Sequence, residues 1–142
     1  MEHPVTTTDR AAVESRWWLV VAAAAAFWVL AFAVGALAFL VGMAAFVGGF
    51  FLDPSLFLPG AFGLALLVIV PFVLLGFALA VALPVALYFD ATAVRGAAVG
   101  WEPDPVLYAL VAVVGLFAQG VPIQPAVAVY YLYRRHQHVG EP

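Results

Sequence analysis

Few side chains in this sequence have the type and spacing to do chemistry. Gln119 and Gln124, the only two amides in its apolar blocks, belong to the run Gln119-Gly120-Val121-Pro122-Ile123-Gln124-Pro125. An amide pair beside two prolines can line a narrow polar path, or it can satisfy backbone carbonyls that a helix break sets free. His136 and His138 lie next to Arg134 and Arg135, with His3 as a distant third imidazole. Two histidines on a chain end lack the further fixed ligands that zinc requires, so no metal is assigned to them. Arg134 and Arg135 suit anionic lipid headgroups instead, at about 1 kcal/mol per charge. The chain has no cysteine, no Ser-His-Asp set, no His-Glu-x-x-His and no glycine-rich phosphate loop. The expectation is a protein that is not an enzyme and carries no cofactor.

The elements that position these residues are apolar to an unusual degree. Of 142 residues, 67% are hydrophobic and 9% charged, where globular chains carry roughly a quarter charged. The charged residues fall in four short stretches, leaving Trp17 to Leu52, Pro54 to Phe89 and Pro105 to Tyr133 without any. Each block exceeds the roughly 20 apolar residues that cross a bilayer's hydrocarbon. The fold class predicted is therefore all-α, a polytopic transmembrane protein in which ionisable groups stay outside the apolar interior. Its acidic net charge of -3 excludes a nucleic-acid partner, because phosphate backbones call for clustered Lys and Arg. No small-molecule substrate is identifiable, and the partners implied are the lipid bilayer and either another membrane protein or a second copy.

Charge placement suggests the topology. Arg10 and Arg16, Arg95, and Arg134 with Arg135 assign the N-terminus, the 90–104 loop and the C-terminus to the cytoplasmic side of the cell membrane. The third block meets this only if it turns back at its proline break. Two long helices near 17–51 and 56–89 and a C-terminal helical hairpin with arms near 105–118 and 124–135 follow. Residues 1–16 and 136–142 form tails, and three transmembrane helices are the alternative. Asp53-Pro54 and Asp104-Pro105 read as N-caps followed by proline at the first helical position. Residues 88–100 read as a short interfacial helix, and Trp17, Trp18, Tyr88, Trp101, Tyr108, Tyr130, Tyr131 and Tyr133 as interfacial anchors.

A seven-residue repeat marks the first block. Ala31, Phe32 and Gly35 recur as Ala38, Phe39 and Gly42 and again as Ala45, Phe46 and Gly49. Small residues at this spacing make one continuous seam on a helix, and such seams let membrane helices approach closely. The first candidate for its partner is the second helix, at Gly76, Ala80 and Ala82; a second subunit is the other.

The segments Tyr88-Phe89-Asp90, Trp101-Glu102-Pro103 and Tyr131-Leu132-Tyr133-Arg134-Arg135-His136-Gln137-His138-Val139-Gly140 resemble a group of small integral membrane proteins of halophilic archaea with a YLYRRH-type tail. The likeness covers about the C-terminal half. It implies residence in the cell membrane and brings no activity or binding residue with it.

Overall fold

A computed structural model describes residues 13–51, 54–118 and 120–140, and among them the only regular structure is helix. Four helices follow in order: α1 over Trp17–Phe51, α2 over Pro54–Gly96, α3 over Pro105–Phe117 and α4 over Ile123–Val139. Two stretches, Trp17–Gly49 and Ala65–Gly96, are long and apolar enough to cross a membrane.

The third block is a hairpin. Ring and backbone contacts between α3 and α4 step in opposite directions along the two arms: Gly115 meets Gln124 at the closed end, Tyr108 lies 5.0 Å from Tyr131 further down, and Trp101 stacks on His138 at 5.6 Å at the open end. A Cβ on Gly115 would lie 2.7 Å from Gln124 Cγ, so the arms close at their tip because this residue is glycine. Asp104 starts α3 as its spacing implies, with Oδ1 accepting from Val106 N at 2.9 Å and Leu107 N at 3.1 Å. Pro105 at the first helical position loses no bond there. Asp53, read as the corresponding cap of the second helix, lies outside the described residues.

The helices run alternately up and down. Trp17 stacks on Phe89 at 5.2 Å and Phe27 on Phe72 at 4.7 Å, so α1 and α2 are antiparallel, and the start of α1, the end of α2 and both ends of the hairpin meet at one end of the molecule. The core sits in this end, where Val21, Ala24, Leu83, Ala86, Leu87, Val94, Ala112, Ala128 and Tyr131 are buried. Along α1 and α2 the buried positions recur every three or four residues, the mark of one helix face turned inward. Beyond the hairpin tip α1 and α2 continue without α3 and α4, and their large apolar side chains are exposed.

Two sequence expectations change here. The second helix begins at Pro54, the first helical position that Asp53-Pro54 implies and two residues before the bound near 56, and it does not stop at Phe89 but runs on to Gly96, absorbing most of the segment read as a separate interfacial helix. The charge at Asp90 had set that expected end. Two residues after it, Ala91 and Val94, keep the helical period and pack inward, so helix formation continues through the acid. Likewise, residues 136–139 belong to α4, which ends on Gly140 in the left-handed conformation (φ 82°) rather than passing into a tail at His136.

Candidate functional site

The inward face of α4 carries Gln124, Val127, Ala128, Tyr131 and Arg135. Three of these five are polar at one atom or more, and each has a defined partner. Near the bundle's base, Arg135 Nε donates to Asp90 Oδ2 at 2.9 Å, and the Tyr131 hydroxyl donates to the same oxygen at 2.8 Å. Asp90 is 0% exposed and Arg135 1%. The guanidinium lies 5.5 Å from the Trp18 ring, a cation–π arrangement that links α1 to the pair. Asp90 Oδ1 is buried without a hydrogen-bond partner.

This cluster corrects the expectation that ionisable groups stay outside the apolar interior. Asp90 lies on the face of α2 that also carries Leu83, Ala86, Leu87 and Val94, and Arg135 continues the buried stripe of α4. Arg135, assigned from sequence to lipid headgroups, is enclosed and paired. The signal was present in the sequence: carrying the helical period past Phe89 places Asp90 on the inward side. Tyr131 and Trp101, read as interfacial anchors, are also buried, whereas Trp17, Tyr88, Tyr130 and Tyr133 are exposed.

Arg134 points elsewhere. Its guanidinium lies 5.8 Å from the Trp101 ring, on whose stack His138 also rests, and His138 Nδ1 is 2.8 Å from the Arg134 carbonyl oxygen. Among the described residues no group of three or more His, Cys, Asp or Glu could hold a metal ion.

At the hairpin tip, Gln124 is 3% exposed, and its Nε2 donates to the carbonyls of Ala80 at 3.0 Å and Ala112 at 3.1 Å. The first of these has a specific cause. In an α-helix the Ala80 carbonyl would receive the N–H of residue 84, but residue 84 is proline and has none. Gln124 fills that vacancy from a different helix. Pro122 stands at the N-cap position of α4 without a side-chain cap bond, and Pro125 sits in its first turn, where proline is tolerated. Gln119, the other half of the predicted amide pair, lies outside the described residues.

The small-residue seam is placed away from its first candidate partner. Gly35, Ala38 and Gly42 are exposed, while Ala31, Ala45 and Gly49 are half-buried. A Cβ on Gly35 or Gly42 would meet no atom within 4 Å. Gly76, expected to receive the seam, instead lies under Phe27, whose Cε1 and Cζ would be 2.9 Å from an added Cβ. The close approach of α1 and α2 thus uses an aromatic ring on a glycine below the repeat.

The chain matches no protein-family model. It matches no curated protein and no solved structure.

Proposed function

We propose that this chain is a multi-pass protein of the cell membrane that acts without catalysis, as an accessory or regulatory subunit held to a larger membrane assembly by the Ala31 to Gly49 face of α1. The observation that carries this reading is the open space over Gly35 and Gly42, on a helix otherwise apolar for its whole length. Small residues favour close helix approach in lipid, and among the described residues no atom would lie within 4 Å of a Cβ added at Gly35 or Gly42. A topology with both termini cytoplasmic accords with the clustering of Arg16, Arg95 and Arg134 towards the one end where the helices meet.

The buried acid and base fit a structural task. Asp90, Tyr131 and Arg135 are bonded to one another rather than directed into an opening, and they tie α2 to α4. The alternative of a channel lined by the broken third block loses its described amide, since the Gln124 N–H groups are spent on Ala80 and Ala112.

The test is to replace Gly35 and Gly42 together with Leu and compare what co-purifies from native membranes in mild detergent. The expected result is a monomer of unchanged thermal stability that has lost its partner or its second copy. Retention of every wild-type partner and of the wild-type oligomeric size would overturn the reading.

A further inference from the structure

A cavity of about 500 Å³ opens where the hairpin ends and α1 and α2 continue. Phe27, Gly76, Ala80 and Gln124 form its buried floor, and Phe32 and Val73 stand exposed at its mouth. From this geometry we infer that the cavity seats the methyl end of a lipid hydrocarbon chain. It is within the size range of ligand sites, roughly 300–1,000 Å³. Its chemistry selects the occupant: the floor is aromatic and aliphatic, and the amide N–H groups of Gln124 are already committed to carbonyls. Water held there would need about two to four polar partners, and the described lining offers one uncommitted side-chain donor, the Trp28 indole N–H, which is buried with no hydrogen-bond partner. The shape selects the end of a chain. The 13 residues of α3 reach only about 20 Å at 1.5 Å per residue, so the hairpin tip forms a step against two longer helices. Phe32 and Phe77, exposed beside that step, are surfaces that surrounding lipid must coat, and the chain that coats them has the cavity directly beneath it.

This inference rests on the membrane reading above and goes beyond it, and one experiment separates the two. The full chain is reconstituted in phosphatidylcholine vesicles brominated either near the acyl methyl end or near the ester. Trp28, which lines the cavity, serves as reporter through the difference between wild type and Trp28→Phe. Methyl-end bromine is expected to quench it more strongly than ester-end bromine. Val73→Phe, which fills the mouth from α2, and Val121→Phe, which fills it from the hairpin, should each abolish that excess. Val68→Phe adds the same bulk to an exposed position of α2 outside the cavity and should preserve it. A chain that does not float with the vesicles overturns the membrane reading and this inference with it. A chain that floats overturns the inference alone if ester-end bromine quenches equally well, or if both filled variants are quenched like wild type.

Discussion

At the scale of single residues, the most consequential atom is Asp90 Oδ2, which accepts from both Arg135 and Tyr131. Taking two charges out of water costs several kcal/mol per ion, which their attraction offsets only while both are present. Arg135→Leu should therefore destabilise the fold by about 3–5 kcal/mol, whereas Asp90→Leu with Arg135→Leu should come close to wild type. Thermal unfolding of the two variants in one detergent checks this; equal losses would mean that apolar contacts of the arginine stem, not the charge, are what matters. Gln124 offers a second comparison. Gln124→Leu leaves the Ala80 carbonyl unsatisfied and should cost about 1–3 kcal/mol. In a Pro84→Ala background the residue 84 N–H returns, so the same substitution should cost less, and a double-mutant cycle measures the difference. The amide's use was legible in the sequence as a general tendency. Its specific target was not, because Pro84 and Gln124 meet only once α2 and α4 are packed.

At the scale of elements, helix types and the hairpin were readable because proline and periodicity are local signals. The Gln119 to Pro125 run broke the third block, and Asp104-Pro105 marked where it began. Helix ends set by charge were less readable: Asp90 looked like a terminus and is an interior residue of α2. Which glycines matter also depends on tertiary placement, and spacing alone pointed to the wrong ones for the α1–α2 contact. Gly76→Ala should destabilise the chain, since its Cβ would press on Phe27 at 2.9 Å. Gly35→Ala should be neutral or stabilising by up to about 1 kcal/mol, as alanine is the better helix former and space there is open. Denaturation midpoints of the pair decide the matter, and a larger loss at Gly35 would place a hidden contact on the seam.

At the scale of the whole molecule, the polar ties and the buried core of the described residues concentrate at one end, and in the far reaches of α1 and α2 the described large apolar side chains are exposed. Apolar runs and proline breaks made the all-α class legible from the first; that unevenness was not, because all three blocks look alike in hydropathy while the third folds back on itself as α3 and α4 and lies along only part of α1 and α2. The Asp90–Arg135 pair also imposes an order in time. Its members stand 45 residues apart in the chain, so a growing polypeptide presents the acid of α2 well before the arginine of α4 exists. A chain ending at Tyr130 should therefore accumulate poorly in cells, and Asp90→Leu should partly restore it by removing the charge that awaits a partner. Pulse-chase measurement of both truncated forms tests this, and equal turnover would show that the acid is not what marks the shortened chain. On this view the ion pair would act as a completion check: the carboxylate destabilises products that contain Asp90 but lack Arg135, and synthesis of the last helix silences it.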